Sequence, residues 1–82
     1  MIARKTDRTI TQPYNVVMEI LQDNKDYFLT KEEIYERLPY IGDEKSITIS
    51  QLTNVLRQMR NCMQIEVWYI RGRAYYALIV DR

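Results

Sequence analysis

Histidine is absent from this 82-residue chain, and cysteine, glycine and proline are scarce, with one, two and two copies. Without histidine, the commonest general base and metal ligand near neutral pH is missing. The lone Cys62 has no partner for an internal disulfide, a zinc set or a nucleophilic Cys–His pair. Two glycines are too few for a glycine-rich phosphate loop, and no Walker pattern occurs. No run of about 18 apolar residues is present, so no membrane-spanning helix is expected. The opening MIARKTDRTITQ is too polar for a secretory signal. These absences predict no cofactor, no metal, no enzymatic activity and no membrane partner. The single cysteine also predicts a reducing, intracellular compartment, a cytoplasmic one or the interior of a host cell. Carboxylates such as Glu32, Glu33 and Glu36 fall on one short helix, where solvated or capping roles are the ordinary ones.

What is present is an ordinary globular composition, 46% hydrophobic and 28% charged, enough for one domain with a modest core. The net charge of +1 conceals an uneven distribution. Residues 1–12 carry Arg4, Lys5 and Arg8 against Asp7. Residues 13–47 carry four bases against eight acids, and residues 48–82 carry five arginines against Glu66 and Asp81. An acidic first half and a basic second half suit a molecule with one face turned to a polyanion.

Residues 1–11 lack periodicity and read as a flexible basic arm, with a single domain over 12–82. Such an arm can follow a DNA groove or be an unstructured tail. The first helix is expected near Pro13, with Thr11 or Gln12 as its cap. Its core stripe is Val16, Val17, Ile20 and Leu21, with Tyr14 or Met18 at the edge. Asp23 to Asp26 end it. Tyr27-Phe28-Leu29 reads as an extended piece forming one or two bridges. Thr30-Lys31-Glu32-Glu33 is a capping box opening a two-turn helix with Ile34, Tyr35 and Leu38 inward, limited by Pro39. Tyr40–Ser46, with Gly42, has the composition of a loop. The alternation over Lys45–Ser50 admits a brief strand; the preferred reading is a turn leading to Thr48 as cap, with Gln51 completing a second box.

The segment from Thr48 to Met63 organises the rest. Ile49, Leu52, Leu56, Met59 and Met63 recur at spacings of three and four, one stripe of an amphipathic helix. At that spacing Cys62 reads as a small core residue. The opposite side holds Ser50, Gln51, Thr53, Asn54, Arg57, Gln58, Arg60 and Asn61, without an acid. Amides, hydroxyls and arginines on one helical face are the groups that read base edges and hold phosphates; a plain solvated face has the same look.

After Met63 the period changes from 3.6 to 2. Ile65, Val67 and Tyr69 alternate with Glu66, Trp68 and Ile70, followed by Arg71-Gly72-Arg73 and Ala74–Val80. This is a hairpin. With Gly72-Arg73 as its loop, Tyr69 faces Tyr76, Val67 faces Leu78 and Ile65 faces Val80. With Arg71-Gly72 as the loop, pairing shifts by two and the sides are kept. The second side, around Trp68, Ile70 and Tyr75, is too apolar for a fully solvated face. It can cover the first helix or the amino-terminal segment, or meet a partner.

A helix, a turn, a second helix polar and basic outward, then a basic-tipped hairpin resembles the winged helix-turn-helix DNA-binding domains. The residues that carry the likeness are Leu29-Thr30-Lys31-Glu32-Glu33-Ile34, the run Ile49–Met59 and the hairpin Ile65–Leu78. It spans about residues 13–80. Two departures stand out: the Tyr40–Ile47 connection is longer than a tight turn, and Asn61-Cys62-Met63-Gln64 stands where many members place a glycine. The resemblance implies an α+β fold of three helices and a two-stranded wing. It also implies a small sequence-specific DNA-binding protein that regulates transcription. The third helix would enter the major groove of double-stranded DNA, with Ser50, Gln51, Thr53, Asn54, Arg57 and Gln58 toward base edges and Arg60 toward phosphate. Arg71 and Arg73 would meet the backbone or a narrow minor groove. A homodimer would raise affinity over a single small module. Winged helices also serve as adaptors that bind polymerases and other host machinery, and Trp68, Ile70 and Tyr75 are then the expected contact. The small size fits a stand-alone factor of the kind phages and mobile elements carry.

Overall fold

In the computed structural model, residues 12–79 are described. Helix α1 is Pro13–Asp23, α2 is Lys31–Glu36 and α3 is Ile49–Asn61. Strands β1 (Tyr40–Ile41) and β2 (Glu44–Lys45) form one small antiparallel pair. Strands β3 (Ile65–Ile70) and β4 (Arg73–Leu78) form the carboxy-terminal hairpin. The fold is therefore α+β. The basic arm and the Thr11 cap expected from sequence lie outside the described residues.

Helix α1 starts with proline in its first turn, where the missing N–H is of no consequence. Gln12 stands at the cap position without a side-chain capping bond. Asn24 closes the other end by donating Nδ2 to the Ile20 carbonyl at 2.8 Å. Val16, Val17, Ile20 and Leu21 are all buried, as the spacing predicts. Both predicted capping boxes form. Thr30 Oγ1 accepts from the Glu33 backbone N–H at 3.2 Å, and Glu33 Oε1 accepts from the Thr30 N–H at 2.8 Å. Thr48 and Gln51 repeat the exchange at 3.1 and 2.8 Å. Together these boxes satisfy four backbone donors that the helix starts would otherwise leave free.

Helix α3 departs from its predicted stripe at both ends. Leu52, Val55, Leu56 and Met59 are buried, whereas Ile49 is 45% exposed and Met63 78% exposed. The apolar stripe is thus shorter and wider than expected, with Val55 added. The helix ends at Asn61, before the periodic positions run out. The Met63 N–H donates to the Arg60 carbonyl at 3.0 Å and the Gln64 N–H to the Met59 carbonyl at 2.8 Å. This is the Schellman pattern, and Met63 occupies its left-handed position with φ 60°. The reversal aims Met63 outward and leaves Cys62 exposed rather than in the core.

The Tyr40–Ser46 segment is not a plain loop. Tyr40 pairs with Lys45 and Ile41 with Glu44 around Gly42, whose φ is 67°. Two-residue strands are too short to show a period, which is why composition alone reads them as loop. Lys45 anchors the hairpin: its Nζ donates to the Glu36 and Leu38 carbonyls at 3.0 and 3.3 Å and lies 4.5 Å from the Tyr40 ring centre. It thereby caps α2 and covers an aromatic face.

In the larger hairpin the turn is Arg71-Gly72, since Ile70 pairs with Arg73 and Tyr69 with Ala74. The Tyr69–Tyr76 pairing expected from a Gly72-Arg73 loop does not form. Both turn residues have positive φ, 54° and 79°, as a two-residue hairpin loop matched to strand twist requires. Sides are preserved: Ile65 is buried, and Val67, Tyr76 and Leu78 pack on the core. Val80 lies outside the described residues. The expected extended piece forms one bridge, Leu29 with Tyr76, with bonds of 2.9 and 2.7 Å. Tyr14 Oη donates to Gln64 Oε1 at 2.6 Å, tying α1 to the α3–β3 junction. The core sits among the three helices, Leu29, Ile47 and Ile65. Among the described residues no helix is long and apolar enough to cross a membrane.

Candidate nucleic-acid interface

The outer face of α3 has no acid anywhere along its length, but its side chains differ in what they are free to do. Ser50, Gln58 and Arg60 are exposed. Gln51 is exposed too, yet its amide oxygen is spent on the Thr48 N–H. Thr53 is half-buried; its hydroxyl donates to the Ile49 carbonyl at 2.9 Å and accepts from Lys31 Nζ at 3.2 Å. Asn54 Oδ1 accepts from Arg57 Nη1 at 3.2 Å. That bond fixes the guanidinium relative to the helix and leaves the Asn54 amide N–H groups and the remaining Arg57 donors for another acceptor.

Two recesses bring residues of α2, α3 and the hairpin together. The smaller, about 170 Å³, lies between α3 and the hairpin and is lined by Thr53, Arg57, Arg60, Tyr69 and Tyr76 among others. The larger, about 470 Å³, lies between α2 and the hairpin and is lined by Lys31, Glu32, Gly72, Arg73, Ala74 and Tyr76. Tyr76 is common to both. Burial pushes its phenol pKa above the ordinary value, Tyr69 and Glu32 add to the shift, and Arg60 opposes it. Tyr76 thus stays a hydroxyl donor throughout the neutral range. Thr53, Arg57 and Arg60 therefore line one recess and Arg73 the other, with Tyr76 between them. Ser50, Gln51, Asn54, Gln58 and Arg71 line neither recess.

Charge is graded along α3. Near its start a third recess is lined by Tyr40, Asp43, Glu44, Lys45, Thr48 and Ile49 among others, which brings two carboxylates and one ammonium, the latter bonded to the Glu36 and Leu38 carbonyls, to the amino-terminal end. Arg57 and Arg60 lie in the carboxy-terminal half. The positive region therefore joins the later turns of α3 to the hairpin and to Lys31.

Four polar or charged lining residues were not in the set read from sequence: Lys31, Glu32, Tyr69 and Tyr76. Lys31 hides inside a capping-box motif, whose local role is sufficient by itself. The tyrosines alternate with apolar residues and read as core, but Tyr69 is 65% exposed because the hairpin extends past the core there. A tyrosine on the core side close to an arginine-bearing tip was the available signal.

On the other side of the hairpin Trp68 is 54% and Ile70 53% exposed, and Tyr75 is half-buried. Phe28 meets Trp68 edge-on at 6.1 Å. Trp68 Nε1 donates to Glu66 Oε1 at 2.9 Å. No family model, no curated protein and no solved structure matches the chain.

Proposed function

We propose that this is a small sequence-specific DNA-binding protein of winged-helix type that regulates transcription. In this reading α3 lies in the major groove and the Arg71-Gly72-Arg73 turn rests on the backbone or in the minor groove. The observation that carries it is the acid-free outer face of α3 continuing into a recess with Arg57 and Arg60. Asn54 and Arg57 are the chief base readers, because they are exposed, mutually oriented and not committed to caps. An arginine presents two parallel donors to guanine and an asparagine amide pairs with adenine. Gln51 and Thr53 contribute less, being held by the helix itself. Arg60, Arg71 and Arg73 supply charge to phosphates and set register without sequence preference.

The backbone at Arg71 supports a role for its side chain. Asparagine or glycine suits a φ of 54° better than arginine does. A long cation kept at a disfavoured position is consistent with use of its charge. Anisotropy titration with labelled duplexes tests the proposal. Replacing Arg71 and Arg73 together with alanine is expected to weaken all sequences alike. Asn54→Ala is expected to change which sequence is preferred. Absence of binding at low salt, with selected as with random duplexes, would contradict the proposal.

A second reading has its own observation. Phe28, Trp68 and Ile70 form an exposed apolar patch on the hairpin side opposite Tyr69 and Tyr76, with Arg73 at its edge as the cross-strand partner of Ile70, suited to a protein partner or to a second copy of the chain. Trp68→Ala is then expected to abolish capture of host machinery or to shift a dimer to monomer in sedimentation. Unchanged capture and unchanged mass would remove that surface.

A further inference from the structure

We propose that the trough running under the hairpin from Arg73 to Arg60 seats one sugar–phosphate strand of duplex DNA, with Lys31 and Tyr76 as phosphate contacts beside the arginines. The proposal rests on the DNA-binding reading and adds to it where the strand lies and what holds it. The two recesses adjoin at Tyr76, which lines both, and in the proposed mode they are consecutive stretches of one path between helix and hairpin. Four cations line that path, Lys31, Arg57, Arg60 and Arg73, against one acid, Glu32. Lys31 is not free to swing, because one ammonium proton is given to Thr53 Oγ1 at 3.2 Å. Two donors remain for an anion. Tyr76 lines both recesses, and the exposed Tyr69 ring gives a flat apolar wall against which a deoxyribose can lie. The two carboxylates near the start of α3, Asp43 and Glu44, outnumber Lys45 there, whose ammonium is given to the Glu36 and Leu38 carbonyls, and they repel a phosphate strand at that end. The duplex is therefore centred on the later turns of α3 rather than on its first turn.

The test is the salt dependence of binding of the full chain to a short random-sequence duplex. Each phosphate contact contributes about 0.9 to the slope of log affinity against log salt. Lys31→Gln is expected to lower the slope by about that amount, while Lys25→Gln, an equal loss of charge on an exposed site at the far end of α1, leaves it unchanged. Tyr76→Phe is expected to weaken binding about two- to tenfold, the worth of one hydrogen bond, without altering the slope. Glu32→Gln is expected to tighten binding about two- to fivefold, the worth of one exposed charge interaction. A gain of affinity cannot come from damage to the fold. A Lys31→Gln slope equal to that of the wild type, or a Glu32→Gln affinity at or below it, would overturn the trough while leaving DNA binding intact. A wild type that binds single strands more tightly than duplex overturns the duplex assignment. No binding of the wild type to duplex in low salt overturns both the trough and the reading beneath it.

Discussion

Met63 and Arg71 are the two residues other than glycine that hold a positive φ among the described residues, at 60° and 54°. They hold it for different reasons. Met63 is where the chain leaves α3 through a Schellman turn, and its side chain is 78% exposed, so nothing in the core recoups the strain. The left-handed region costs an L-residue roughly 1–2 kcal/mol, and glycine's extra freedom when unfolded returns about 0.4–1 kcal/mol of that. Met63→Gly is therefore expected to raise stability by about 0.5–1 kcal/mol in urea denaturation and to leave DNA binding unchanged. Arg71→Asn is expected to raise stability by a similar roughly 0.5–1 kcal/mol but to weaken binding. If Arg71→Asn stabilises the fold and binding is unaffected, the arginine has no part in the interface.

At the scale of elements, α3 is the part most legible in the sequence. Its cap, its box and its middle stripe all follow from spacing and side-chain chemistry, and Leu52 and Met59 are fully buried as expected. Its carboxy-terminal end was not legible, nor was the exposure of Ile49 in its first turn. A period-3.6 pattern continues through Met63, and only the left-handed turn, which glycine usually announces, shows where the helix stops. Ile49 fits the stripe but lies in the first turn, beside the small β1–β2 hairpin rather than over the core. The hairpin side assignment followed from alternation, whereas its register depended on which two of Arg71, Gly72 and Arg73 turn. Truncation of the middle stripe should show how much α3 depends on its packing: Leu52→Ala is expected to cost about 2–5 kcal/mol in denaturation, since Leu52 is completely shielded from solvent. A loss below about 1 kcal/mol would mean that the site repacks.

At the scale of the whole molecule, the two sides of the hairpin face different chemistry. One side continues the positive region of α3 through Tyr69 and Tyr76; the other carries Phe28, Trp68 and Ile70. The candidate site was partly visible in sequence as an acid-free helical face and an arginine-flanked turn. Its third wall was not, because Lys31 is distant in the chain and reaches Thr53 only after α2 packs on α3. The central claim, that α3 and the hairpin turn form a DNA-binding face, is tested most directly by backbone amide shift mapping of the folded protein during titration with a duplex. The account predicts shifts confined to residues 50–60, the 71–73 turn, Lys31, Tyr69 and Tyr76, with Phe28 and Trp68 unmoved. Shifts confined to Phe28, Trp68 and Ile70, or none at all, would contradict it.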